Sequence, residues 1–171
     1  MIPGSTQDPQ TVTSAGEKVT PLIHGVLQRK SVVHTDGRGE LGEIYDPRWG
    51  LIDDPLVYAY YSMIRPGAVK GWVYHRLQSD RFYVISGFLK VVLFDPRAGS
   101  PTKGMINELF ITERDRSLLV IPPLVVHAVE NIGTIDCFQL NLPTVAYNHV
   151  TPDKYRVPPD AVPYQFGRKA G

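Results

Sequence analysis

His75, Asp80 and His127 are the residues of this 171-residue chain whose types and spacing most readily support chemistry. An imidazole titrates nearer neutrality than any other side chain, so it can give or take a proton at working pH. Two imidazoles with one carboxylate also form a two-His, one-carboxylate set, which suits Fe(II) or another divalent ion. Residues two apart on a strand share a face, so Val73 points the same way as His75. His127 must arrive from a later strand to meet them. His24, His34 and His149 stand alone in the sequence, and hydrogen-bonded structural roles are expected for them.

The elements that must position these residues read as short strands. Apolar, β-branched and aromatic runs occupy residues 57–64, 81–86, 88–94, 109–112, 117–121, 125–129 and 137–142. Turn residues separate them: Pro66-Gly67, Gly87, Asp95-Pro96 and Gly99-Ser100-Pro101. The runs on either side of Gly87 predict a hairpin. Fifteen Gly and fifteen Pro are scattered between runs rather than massed in one block, and no helical period of useful length is present. Such spacing predicts an all-β sandwich or barrel. Residues 1–18 read as a flexible polar arm and residues 19–171 as one domain, with an irregular tail beyond Pro143 that wraps the barrel.

Eighteen Lys and Arg balance seventeen Asp and Glu, so no basic face for nucleic acid is expected. The start lacks a basic, apolar leader, and no run approaches the roughly 20 apolar residues of a membrane span. With a single cysteine, Cys137, no internal disulfide framework exists, and a cytoplasmic location is expected.

The spacing around the two histidines resembles the paired motifs of cupin barrels. Gly67, then Val73, His75, Asp80 and Gly87 follow the first motif, with Val73 in place of a His and Asp80 in place of a Glu. Pro122, His127 and Asn131 follow the second, with Arg116 and Leu124 where glycines belong. The resemblance implies a cupin double-stranded β-helix, or jelly roll, that holds a ligand in its mouth.

Further residues resemble one family of such barrels, the dTDP-4-dehydrorhamnose 3,5-epimerases. They are Asp36-Gly37-Arg38-Gly39 with Glu43, Lys70-Gly71-Trp72, the 95–102 loop ending Ser100-Pro101-Thr102, Ile121-Pro122 with His127, and Asn141, Pro143-Thr144, Tyr147 and Pro152-Asp153. The likeness spans about residues 30–160. It implies removal of the acidic proton beside the ketone of a 4-keto-6-deoxy sugar nucleotide, then return of a proton to the other face. That reaction needs a base, an acid and donors for the oxyanion. It needs no cofactor, because the ketone supplies the acidity. The implied catalytic set is His75, Tyr147 and His127; Arg38, Glu43, Lys70, Asp80, Arg97 and Asn141 would bind substrate.

The chain departs from the family at Val73, where the catalytic His belongs, and in lacking the late segment that carries the orienting aspartate. A base acting from position 75 is the expectation that follows. Two other readings stay open: a metal site built from His75, Asp80 and His127, and a binding module that only senses a sugar nucleotide. The family resemblance further implies a homodimer.

Overall fold

The computed structural model describes residues 2, 4–16 and 19–167, so the expected arm and tail lie partly outside the described residues. Among the described residues twelve strands form, with two single-turn 3-10 segments, one between the third and fourth strands at Pro47–Trp49 and one after the last strand at Pro159–Ala161. They are β1 (Leu27–Lys30), β2 (Val33–Asp36), β3 (Gly39–Gly42), β4 (Tyr60–Ile64), β5 (Val69–Tyr74), β6 (Asp80–Ser86), β7 (Phe88–Phe94), β8 (Ile106–Thr112), β9 (Ser117–Ile121), β10 (Val126–Asn131), β11 (Cys137–Asn141) and β12 (Tyr155–Arg156). One five-stranded sheet runs β1-β9-β6-β11-β4 and the other β12-β5-β10-β7-β8, while β2 and β3 pair with each other. All pairings are antiparallel. This is the expected all-β jelly roll. Among the described residues, no helix is long and apolar enough to cross a membrane.

The period-2 alternation of each strand sorts its side chains. Phe82, Val84, Leu89, Val91, Leu93, Leu119, Ile121, Val125, Val129 and Cys137 meet between the sheets and fill the floor of the barrel. The opposite face of the β5–β10–β7 sheet carries Trp72, Val92, Val126 and Ala128, and tail residues Val157, Val162, Tyr164 and Phe166 cover it. The opposite face of the β6–β9 sheet carries Tyr83 and Leu118, covered by Ile44, Tyr45, Trp49 and Leu51. Arg81 lies fully enclosed there. Its guanidinium sits 4.6 Å from the Tyr45 ring centre and donates to the Asp54 carbonyl at 2.8 Å.

The segment around Gly87 differs from the hairpin its sequence predicts. β6 and β7 belong to different sheets, and Gly87 is the corner where the chain crosses between them. One residue is too short to close a hairpin, for which two are the usual minimum. The corner demands glycine: φ is +90°, and a Cβ would lie 2.8 Å from the Cys137 Cα.

Candidate active site

Three strands and one strap bring the site together. β10 pairs with β5 so that His127 stands opposite Val73, and with β7 so that it stands opposite Leu93. Direct cross-strand partners share a face, so His127 and Val73 look into the barrel alongside the core residue Leu93. His75 follows β5 on the same side. Asp80 opens β6 two residues before Phe82, and therefore faces inward as well. The Nε2 atoms of both His75 and His127 lie 3.2 Å from the same oxygen, Asp80 Oδ2. The ring centres are 5.6 Å apart. The other carboxylate oxygen, Oδ1, accepts from Gln78 Nε2 at 2.8 Å and Asn141 Nδ2 at 2.9 Å.

The remaining ring nitrogens are also engaged. His75 Nδ1 faces the Asp153 carbonyl in a short contact, and His127 Nδ1 faces the Val125 carbonyl at 3.2 Å. A carbonyl only accepts, so each Nδ1 carries its hydrogen. Burial disfavours charge on His75, but the hydrogen bond and negative charge of Asp80, helped by the Asp153 carbonyl, outweigh it and raise the pKa. Burial likewise opposes ionisation of Asp80, which is 2% exposed; the bonds from His127 and His75 overcome it and hold the carboxyl far below the usual range. The cluster is thus an enclosed carboxylate bracketed by two imidazoles.

The strap is the segment after Asn148. The Asp153 carboxylate accepts from the backbone N–H groups of Arg76, Leu77 and Gln78 at 2.9, 2.8 and 3.1 Å. β12 then pairs with β5, with Tyr155 opposite Tyr74 and Arg156 opposite Val73. The Tyr155 and Tyr74 rings stack at 5.0 Å on the outer side. Thr144 Oγ1 accepts from Ser79 N at 2.9 Å, so a second tail residue secures the turn that leads into Asp80.

Of the residues singled out in the sequence, the structure brings together His75, Asp80, His127 and Asn141. Asp80 lies beneath the rings rather than at the open mouth, and Asn141 links it to the Tyr60 hydroxyl at 2.9 Å. Lys70 sits on β5, exposed. Arg97 is tied by Nε to Asp95 at 2.7 Å, and the Ser100 and Thr102 hydroxyls donate to the same carboxylate, so this loop braces itself. Arg38, paired with Asp36, lines a separate recess on the β2–β3 hairpin with His34 and Glu40, and Glu43 lies just beyond that hairpin, exposed. Tyr147 is 43% exposed and packs edge-on against His149, 5.0 Å between ring centres. Sequence reasoning missed Tyr60 and Gln78, and it named Asp153 in the family likeness without giving it a role. The pairing of β4 with β11 puts Tyr60 opposite Asn141 on the inner face; only the register could have revealed it. Burial and the charge of Asp80 raise the Tyr60 pKa.

A jelly roll with titratable groups converging between its two sheets has the architecture of a cupin. A probable low-salt glycan biosynthesis epimerase, Agl13, from Haloferax volcanii is 34% identical over 141 residues, spanning 82% of this chain and 90% of that protein. The chain therefore belongs to the dTDP-4-dehydrorhamnose 3,5-epimerase-like family of isomerases. Two crystal structures share the fold. A dTDP sugar isomerase from Desulfovibrio desulfuricans G20 matches with a TM-score of 0.77, 24% identity, and coverage of 84% of this chain and 91% of that one. A dTDP-4-dehydrorhamnose 3,5-epimerase from Sulfolobus tokodaii matches with a TM-score of 0.73, 22% identity, and coverage of 86% and 85%. No family model matches the sequence.

Proposed function

We propose that the chain epimerises or ketoisomerises a 4-keto-6-deoxy sugar nucleotide by moving the proton beside the ketone. The observation that carries this reading is the pair of imidazoles sharing Asp80 Oδ2 inside the barrel of a family of sugar epimerases. In this reading the sugar enters the mouth, and the His75–Asp80–His127 cluster lies under it. A ring that carries a proton stabilises the negative charge that develops on the ketone oxygen. Both ring nitrogens of His75 already hold partners, which favours this electrostatic role over proton abstraction. Tyr60 and Tyr147 are the phenols available as acids, and Lys70 and Arg38 are cations for the nucleotide diphosphate.

The experiment is solvent deuterium exchange. Incubation with dTDP-4-keto-6-deoxyglucose in deuterium oxide should place deuterium on the carbon flanking the ketone, and His75→Ala should abolish it. Tight nucleotide binding with no exchange by the wild-type protein would replace this reading with a sensor.

A second reading has a specific observation behind it. With hydrogen on both Nδ1 atoms, two Nε2 lone pairs and one carboxylate oxygen can converge on a divalent ion, and backbone carbonyls orient the rings as partners of metal ligands do. Elemental analysis decides: less than about a tenth of an equivalent of transition metal removes it. We further propose a homodimer. Tyr61, Met63, Ile85 and Phe138 lie exposed on the outer face of the β4–β11–β6 sheet, with the Tyr61 and Phe138 rings 6.2 Å apart.

A further inference from the structure

Position 73, where the family carries its base, holds a valine that cannot accept a proton. The two imidazoles nearby have no free ring nitrogen. The proton that leaves carbon therefore needs another acceptor at the mouth, and β12 with the residue before it supplies the candidates. Arg156 stands directly opposite Val73, and Tyr155 opposite Tyr74 stacks on the outer side. Lys154 is the exposed residue just before β12, and carrying the alternation of the strand back to it puts it on the same side as Arg156. The Asp153 carbonyl that bonds His75 Nδ1 belongs to the very peptide that leads into Lys154. Lys154 forms no hydrogen bond or ion pair among the described residues, so its amine is available. Arg156 stays cationic under all working conditions and cannot be the acceptor.

We propose that Lys154 is the base that stands in for the histidine missing at position 73, an assignment that rests on the activity proposed above. The neutral ε-amine takes the proton from the carbon beside the ketone. The C–H electron pair becomes the C=C bond of the enolate, and the carbonyl π pair moves onto oxygen. The oxygen pair then returns, and the carbon takes a proton on its opposite face from a phenol, for which Tyr60 is placed by its bond to Asn141. The phenolate and the ammonium recover their starting states by exchange with solvent.

The surroundings shift Lys154 toward its neutral form. Partial desolvation lowers its pKa first, and the positive charges of Arg156 on β12 and Lys70 on β5 add to this. Asp80 on β6 opposes them. His75, one residue past β5, is tied to the adjoining peptide through the Asp153 carbonyl. Depressed lysines of this sort are established acid–base groups.

The test compares wild type with Lys154→Arg and Lys154→Met, each shown to retain the wild-type thermal midpoint. Deuterium incorporation into dTDP-4-keto-6-deoxyglucose and the Kd for dTDP are read on all three. Arginine keeps the charge for binding but cannot take a proton. The expected result is exchange at least about 100-fold slower in Lys154→Arg, the scale of a lost general base, with the Kd for dTDP within about threefold of wild type. Wild-type kcat/KM should rise with pH along a limb absent from the residual activity of the variant. Faster exchange than that in Lys154→Arg, or loss of dTDP binding in parallel with exchange, overturns the assignment. A wild type inert with this probe sinks the proposed activity and the Lys154 assignment with it. An active wild type whose arginine variant stays active sinks the assignment alone.

Discussion

Replacing Asp153 by alanine separates what its side chain does from what its backbone does. The carboxylate accepts three backbone N–H groups, at 2.9, 2.8 and 3.1 Å, while the carbonyl that holds His75 survives the substitution. Arg76 and Leu77 are exposed, so water replaces two of those bonds at about 0.5 kcal/mol each. Gln78 is buried, and its N–H left without a partner costs about 1–2 kcal/mol. The sum is about 2–3 kcal/mol, which for a chain of this length lowers Tm by about 4–12 °C. Urea denaturation at pH 7 followed by circular dichroism measures it.

The pH dependence has a definite sign. Burial raises the Asp153 pKa, but the three N–H bonds and the charge of His75 outweigh it, so the folded value lies below the ordinary 3.8. A depressed carboxylate contributes stability above its unfolded pKa and loses it as pH falls through the folded one. The gap between wild type and Asp153→Ala should therefore be constant from pH 7 to 5 and narrow below about pH 4. A difference at pH 7 under about 0.7 kcal/mol, or one that does not narrow in acid, would refute the reasoning.

Three further outcomes are expected. In Asp80→Asn, the amide oxygen must take the place of Oδ1 between Gln78 and Asn141, leaving an NH2 toward both Nε2 atoms; only Asp153 then opposes the burial of His75, and its NMR titration midpoint drops. Wild type accordingly loses the His75 contribution as pH rises through the raised folded value, and the variant has less of that contribution to lose; a midpoint unchanged by the substitution contradicts the cluster. Gly87→Ala puts a Cβ against the Cys137 backbone at φ +90°, and a loss of about 3 kcal/mol in denaturant is expected. Light scattering should give twice the chain mass for wild type and a single-chain mass for Phe138→Asp; a monomeric wild type removes the dimer.

The site was legible in part because cupin spacing is a statement about strand geometry. His75, Asp80 and His127 each need only their own strand to face inward, and their intervals in the sequence carry that information. Leu124 shows the same logic from the other side. The motif has glycine there, and the structure holds Leu124 at φ +66°, so the backbone requirement persists without the residue that meets it most easily. What could not be read were contacts across long stretches of chain. Tyr60 meets Asn141 through strand register, 81 residues apart, and His75 meets Asp153 over 78. β12 is two residues long and has no run of its own, so nothing local marks it. Gly87 was misread for a related reason: the apolar runs beside it fit a hairpin and a corner equally well, and only the partners of each strand separate the two.

The bond between His75 and the Asp153 carbonyl also has a meaning in time. A nascent chain emerges from its N-terminus, so both imidazoles and Asp80 leave the ribosome well before residue 153 does. Throughout that interval the barrel can gather its apolar floor, yet His75 lacks one of the two partners that fix its ring, and β5 has an open edge where β12 will add. The His75 ring is thus fixed late in synthesis, and a chain released before residue 153 would carry the pocket with that ring untethered on one side.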